Sequence, residues 1–444
     1  MAEVRTFSIS GTGGTHRNNS ITAQDGGHLA QVATHVAEEA ARATKAEVSM
    51  GLIEGIKLYP KAIGWSILLS TCIIMEGFDI VLINSLQALP AFQMRFGHPA
   101  PDGKGYQISA AWQSGLSNGA LVGEVLGLLF IGIIVERIGY KKTMIGALTL
   151  LTGFIFIVFF AQSLPMLLVG EILMGIPWGA FQTLTTTYAA EVCPVSLRAY
   201  LTTYVNLCWV LGQFLSSAVL KGVANKTGPI GYKLPYGLQW MWPLPLIIGI
   251  SLAPESPWWL VRKGRLEEAK HSLLRLTSRN QAQNFDADET VNMMIYTNEL
   301  EKSNTSGTSY LDCFKGTDLR RTEIVCMVWA VQTLCGASSF TGYSTYFFEG
   351  AGLDVSSSFS LSLGQYGLGA VGTILSWFLM IKCGRRTLYL WGQIAMVVIL
   401  VIVGALGTAK ATDNAAQWGI GAMILIYTFV YDMTVGPVWY EDIA

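Results

Sequence analysis

Charge is scarce in this chain. Asp, Glu, Lys and Arg make up only 13% of its 444 residues, where soluble domains carry about 25%. The formal net charge is -1, a balance that offers no basic surface for nucleic acid. Histidine is rarer still. His16, His28, His35, His98 and His271 all lie outside the apolar runs, which excludes a histidine-based metal site or a histidine proton relay within a membrane. The seven cysteines form no CxxC pair, and most fall in or beside apolar runs, where they read as small buried hydrophobes. The first sixty residues hold no basic stretch followed by an apolar one, so a cleaved signal peptide is not expected. A Gly-rich phosphate cradle, a metal cluster and a nucleophile–base set are likewise missing from the sequence. The chain therefore does not read as an enzyme, and no cofactor is implied.

What is abundant is apolar length. Hydrophobic residues make up 51% of the chain, and they come in long runs rather than amphipathic stripes. About 20 apolar residues span a bilayer core as a helix. Such runs fall at Ala62–Leu86, Ile108–Val135, Thr143–Phe160, Pro165–Ala189, Tyr200–Leu220, Leu238–Leu252, Thr322–Tyr346, Phe359–Ile381, Leu388–Leu406 and Trp418–Trp439. The fold class that follows is an all-α polytopic membrane protein with about ten spans. The run at Leu238–Leu252 is short and broken by proline. Residues 1–60 read as a cytoplasmic tail, polar at first and then Ala/Glu-rich and helix-forming from His28 to Lys45. Residues 61–253 form a first bundle of six spans. Residues 254–321 are charged and helix-forming, with Arg265 to Lys270 as a clear helical start, and read as a cytoplasmic insert. Residues 322–444 form a second, incomplete bundle of about four spans.

Loop charge sets orientation. Even-numbered loops hold Arg137, Lys141, Lys142, Arg198, Lys382, Arg385 and Arg386, and the insert adds more. Odd-numbered loops hold fewer cations. Even loops, and with them the N-terminus, are expected in the cytoplasm. The sequon Asn225-Lys226-Thr227 falls in an outside loop, which agrees. Those at Asn18 and Asn304 fall inside and are expected to stay unmodified.

Two loops resemble each other. One carries Gly132, Glu136, Arg137, Gly139, Lys141 and Lys142; the other carries Lys382, Gly384, Arg385 and Arg386. Both read as tight glycine turns with paired cations at a cytoplasmic helix end, as parallel repeats of a transporter would place them. The first is similar to the signature loop of the major facilitator superfamily. Pro254-Glu255-Ser256-Pro257-Trp258-Trp259-Leu260 resembles the PESPRWL motif of sugar porters, with Trp258 in place of the usual Arg. Glu191, Pro194 and Arg198 resemble the E-x-x-P-x-x-x-R motif after the fourth span. Glu76-Gly77-Phe78-Asp79, Tyr204 to Trp209, Tyr343 to Tyr346 and Tyr431 to Val438 resemble fungal maltose/α-glucoside permeases, and the match runs from Tyr59 to Tyr440. The resemblance implies a two-bundle fold and places Glu136, Arg137, Gly139, Glu191, Arg198, Glu255, Gly384, Arg385 and Arg386 in cytoplasmic gating contacts. The second loop departs from the pattern at Ile381, where an acid usually stands. Glu171 stands where many proton-coupled sugar porters carry Arg. The family continues beyond Tyr440 with two more spans, so the resemblance also implies a fragment or a mis-spliced sequence.

Carboxyl groups are rare inside spans because a charge there costs several kcal/mol. This chain has Glu76 and Asp79 in the first span, on one helix face, with Glu124 in the second, Glu171 in the fourth and Asp432 in the tenth. No Lys or Arg lies deep in a span. Acids without basic partners can bind and release protons near neutral pH, which makes Asp79, Glu76, Glu124 and Glu171 the proton-coupling candidates. They could instead be plain hydrogen-bonded helix contacts. Asn206 and Gln213 lie seven apart on one helix face, and the resemblance puts them at two amide contacts to sugar. Gln332, Ser338, Tyr343 and Tyr440 complete the sugar-binding set, with Ser339, Trp439, Gln182 and Tyr188 behind them. The expected function is proton-coupled uptake of α-glucosides such as maltose by a monomer in the plasma membrane, with sugar, protons and the lipid bilayer as its partners. A proton-independent hexose facilitator, a sugar sensor and a non-transporting remnant are the alternatives.

Overall fold

A computed structural model describes residues 41–47, 49–99, 105–226, 228–278, 286–305, 310–336, 342, 344–345, 348, 354–408 and 414–443. Apart from a two-stranded ribbon, β1 (His98–Pro99) with β2 (Tyr106–Gln107), its elements are helices. The N-terminal part comprises α1 (Leu52–Leu58), α2 (Pro60–Ser70), α3 (Cys72–Leu86), α4 (Pro90–Phe96), α5 (Ala110–Ile138), α6 (Tyr140–Phe159), α7 (Leu164–Val192), α8 (Val195–Val223), α9 (Pro229–Leu238) and α10 (Pro243–Leu252). Three helices of the charged insert follow: α11 (Pro257–Arg262), α12 (Leu266–Leu276) and α13 (Ala287–Thr305). The C-terminal part comprises α14 (Gly316–Leu334), α15 (Val355–Lys382), α16 (Arg385–Leu406) and α17 (Asn414–Ile443).

Eight stretches among the described residues are long and apolar enough to cross a membrane. They are Pro60–Leu86, which α2 and α3 share, and parts of α5, α6, α7, α8, α15, α16 and α17. Two of the ten expected spans differ. The run at Leu238–Leu252 belongs to a broken segment in which α9 passes through a 3-10 turn at Gln239–Met241 into α10. Pro235, Pro243 and Pro245 lack the amide donors that a continuous helix would use. The run at Thr322–Tyr346 lies on a helix that starts earlier, at Gly316, and takes in Asp318, Arg320, Arg321 and Glu323. Those charges dilute its apolar character, and residues 337–341 lie outside the described set.

Two buried clusters form the core. The larger gathers α2 to α12 with part of α13 and Phe359 of α15; the smaller joins α16 and α17 around Met396, Ile424, Tyr427 and Val435. α8 links them by packing on α15 and α17. Helices in lipid gain little from apolar contact with one another, so small residues that permit close approach decide which pairs meet. A Cβ on Gly123 would strike the Ile172 carbonyl, and one on Gly175 the Ala120 carbonyl, which locks α5 against α7. Gly77 and Gly212 do the same for α3 and α8, against the carbonyls of Trp209 and Ile74.

Because these obstacles are backbone atoms, they cannot swing aside. We expect Gly175→Ala and Gly212→Ala each to cost about 1–3 kcal/mol, read as a lower thermal midpoint of the purified protein in detergent. Gly146→Ala, which meets open space, should leave the midpoint unchanged.

Candidate functional site

Two constellations emerge, one deep between the helices and one at the helix ends beside α11. In the first, Glu76 and Asp79 are buried on α3, at 1% and 0% exposure. The Gln182 amide on α7 donates to Glu76 Oε1 at 2.6 Å. Glu124 on α5 is the neighbouring carboxyl group that acts on Glu76. Asp79 faces Glu171 of α7, itself fully buried, and its Oδ1 accepts from the Gln239 amide of the 3-10 turn. The Tyr236 hydroxyl lies beside Glu171. The four acids picked out in the sequence thus form two adjacent carboxyl pairs, Glu76 with Glu124 and Asp79 with Glu171. The fifth acid, Asp432 on α17, is apart from them, packed against Gly369 of α15 and beside Asn206 of α8.

Of the amides expected to meet sugar, Asn206 reaches across to the C-terminal part, and Gln332 bonds within that part. Asn206 Nδ2 donates to Thr373 Oγ1 of α15 at 3.3 Å. Gln332 Nε2 donates to the Tyr431 hydroxyl at 2.5 Å, while its Oε1 is buried without a hydrogen bond. Gln213 is buried on the same helix as Asn206. Gln365 on α15 is fully buried, and both its amide atoms lack hydrogen-bond partners. The sequence reading passed over it, although a glutamine inside an apolar run is a visible signal. Nearby, Ser85 of α3 meets the Thr345 hydroxyl at 3.3 Å, and Thr345 meets Ser362 of α15 at 2.7 Å. Ser338, Ser339 and Tyr343, and the side chains of Trp439 and Tyr440, lie outside the described residues.

The constellation at the helix ends is built around three acids. The Glu255 carboxylate accepts from the backbone N–H groups of Tyr140, at 3.0 Å, and Lys141, at the first turn of α6. A carboxylate there answers the unpaired amides and the positive end of the helix. Burial pushes the Glu255 carboxyl above its ordinary value, against the pull of those amides and of Lys141. Gly139 is required just before it. Its φ is +92°, and a Cβ would stand 2.7 Å from Glu255 Oε2. Glu191 at the end of α7 accepts from the Tyr140 hydroxyl at 3.0 Å, from Arg262 Nη2 at 2.7 Å and from the Ser256 hydroxyl. Glu136 at the end of α5 pairs with Lys263 at 3.1 Å and, at 3.9 Å, with Arg262. Desolvation pulls the Arg262 guanidinium down, but Glu191 and Glu136 outweigh it and hold it above its ordinary value.

This geometry answers one departure noted in the sequence. Trp258 stands where an Arg is usual, and the cation comes from Arg262, one turn further along α11. That residue was not singled out, although its i+4 spacing puts it on the same helix face. Arg198 pairs instead with Glu47, at 3.6 Å, and donates to the Cys193 carbonyl. Arg137 is exposed. The second loop differs from the first. Gly384 has an ordinary extended conformation, with φ -63° and open space where a Cβ would stand, and Arg385 and Arg386 are exposed. The tight glycine turn is a feature of the first copy alone.

Comparison with known proteins gives a consistent set of likenesses. The profile of the family described as "Sugar (and other) transporter" matches residues 65–441. The general alpha-glucoside permease of Saccharomyces cerevisiae is 44% identical over 412 residues, covering 92% of this chain and 66% of that protein. A maltose permease of the same yeast is 42% identical over 405 residues, covering 90% of this chain and 66% of that protein. This chain therefore spans about two thirds of the length of these relatives. Among solved structures, a major facilitator superfamily proton:xylose symporter bound to a glucose derivative superposes with a TM-score of 0.71 at 19% identity, covering 86% of this chain and 81% of that one. A partially occluded inward-open form of the xylose transporter gives 0.68 at 18%, covering 86% and 87%. The all-α major facilitator fold is thereby shared.

If Arg262 and Glu191 act as one unit, Arg262→Ala and Glu191→Ala should each lower stability by about 1–3 kcal/mol. The double variant should lose less than the sum. Additive losses in thermal unfolding would mean that the 2.7 Å pair contributes nothing.

Proposed function

The chain belongs to the sugar (and other) transporter family, and on that premise we propose that it is a secondary active transporter coupling proton entry to uptake of α-glucosides such as maltose. Its sequence likeness to α-glucoside and maltose permeases supports the substrate class. The single observation that carries the coupling is the group of four carboxyls, Glu76, Asp79, Glu124 and Glu171, gathered between α3, α5 and α7. Among the described residues no Lys, Arg or His acts on them. Carboxyl groups so placed in a low-dielectric interior serve as proton binders.

In this reading the sugar lies between the two bundles and meets Asn206, Gln213 and Gln332. The first and last exchange their bonds to Thr373 and Tyr431 for bonds to sugar hydroxyls. We infer that Ser338, Tyr343 and Tyr440 also contact the sugar. The contacts of Glu136, Glu191 and Glu255 with α11 and the start of α6 hold the cytoplasmic end of the first bundle as a unit while the bundles rock against each other. Arg137, Arg198, Gly384, Arg385 and Arg386 flank that surface. The bundle boundaries are residues 61–253 and 322–444, joined by the helical insert 254–321. The protein works as a monomer in the plasma membrane with its N-terminus in the cytoplasm.

The test is uptake of labelled maltose by the full-length protein in yeast cells that lack their own α-glucoside uptake. Accumulation above the external concentration should be abolished by a protonophore. Asp79→Asn should lose at least tenfold in accumulation yet still exchange sugar across the membrane. Accumulation that survives unchanged in Asp79→Asn would remove Asp79 from the coupling site. Uptake indifferent to the protonophore would favour a facilitator.

A further inference from the structure

The Asp79–Glu171 pair has partners that the chain's motifs do not announce. Asp79 Oδ1 takes the Gln239 amide, while Asp79 Oδ2, both Glu171 oxygens and the Tyr236 hydroxyl are buried without a hydrogen-bond partner. The groups that face the pair are known from each neighbouring helix. Tyr236 comes from α9; Glu76, one turn away on α3, and Glu124 on α5 lie beyond it. Tyr236 and Gln239 are three residues apart where α9 tightens into the 3-10 turn. At that winding, side chains three apart eclipse each other, so both reach the same point. Each is 2% exposed. The prolines that break this segment therefore have a consequence. They create the turn that brings one amide onto Asp79 and one phenol beside Glu171.

Two carboxylates side by side in a water-poor interior cannot both be ionised. We propose that Asp79 and Glu171 form a single-proton site, and that Gln239 and Tyr236, carried by the broken segment 229–252, are the positioning residues that keep the proton in it. This rests on the coupling role proposed above. Gln239 donates to Asp79 Oδ1 and so keeps Asp79 the acceptor. The proton sits on Glu171 and is donated to Asp79 Oδ2. Loading takes one proton from outside water and forms one O–H bond on Glu171; release breaks that bond and returns the proton to inside water. The pair then carries one negative charge when loaded and two when empty. The empty state is tolerable only when the segment withdraws and water enters, which ties release to movement of residues 229–252.

The experiment compares the full-length wild-type protein with Gln239→Met, which keeps volume and removes the donor, and with Tyr236→Phe. Uptake is measured against pH, and infrared difference spectra record the protonated-carboxyl C=O band of the reconstituted protein. Without the Gln239 donor the ionised form of the site is less favoured. The pH at which uptake is half-maximal should shift about one unit toward alkaline in Gln239→Met, about a tenfold change. It should shift by less, in the same direction, in Tyr236→Phe. The carboxyl band should be lost in Glu171→Gln and should titrate at higher pH in Gln239→Met. Should Gln239→Met fail to fold, Tyr236→Phe decides alone. Proton-driven uptake with the wild-type pH profile and band in the folded variants overturns the proposal and leaves the transport reading standing. A band that shifts as described, together with sugar uptake that ignores the proton gradient, does the reverse.

Discussion

A carboxyl group surrounded by helices and lacking a cation is the constraint on which the rest of this molecule turns. Burying an ionised acid in a membrane interior is costly enough that such residues persist where they are used. Here four of them are concentrated between α3, α5 and α7. The close packing around them follows from the same requirement. Gly77 adjoins Glu76, Gly123 adjoins Glu124, and Gly175 lies one turn from Glu171. Helices that approach backbone to backbone exclude water from the acids they carry. The amides of Gln182 and Gln239 then take the place of water as donors.

The helix ends beside α11 obey a different rule, because there charges can be paired. Glu255 covers the open amides of α6, Glu191 gathers Tyr140, Ser256 and Arg262, and Glu136 reaches Lys263. All three acids draw on the short helix α11 or the turn before it, so the insert is fastened to the first bundle at several points. At the second loop Gly384 is extended where Gly139 is left-handed, and Ile381 stands in the place of the acid. The repeat is thus symmetric in sequence outline and asymmetric in bonding.

Much of this was legible before any coordinates. Long apolar runs reveal spans because the bilayer demands length. The signature loops reveal the family because Gly139, Glu191 and Glu255 act through local geometry that leaves a short, fixed spacing. Glu76, Asp79, Glu124 and Glu171 stood out because charge in an apolar run is conspicuous. Their pairing was not legible. Asp79 meets Gln239 across 160 positions of chain, and Gln239 sits in the stretch that read as a weak, proline-broken span. Arg262 escaped notice because the expected cation position holds Trp258, and only helix geometry moves the search one turn on. The seventh run read as starting at Thr322, where the apolar residues begin, while the helix that carries it begins among the charges near Gly316. Asn206 and Gln332 were picked out as amides for sugar, but the partners they hold here, Thr373 of the other bundle and Tyr431 of the same one, depend on how the helices pack.

The central claim is that sugar does not cross without a proton. The direct measurement is the pH of a weakly buffered medium around de-energised vesicles carrying the full-length protein when maltose is added outside. Coupling through the buried acids requires the medium to turn alkaline as maltose enters, in fixed proportion to the sugar taken up. Maltose entering with no change in external pH would contradict it.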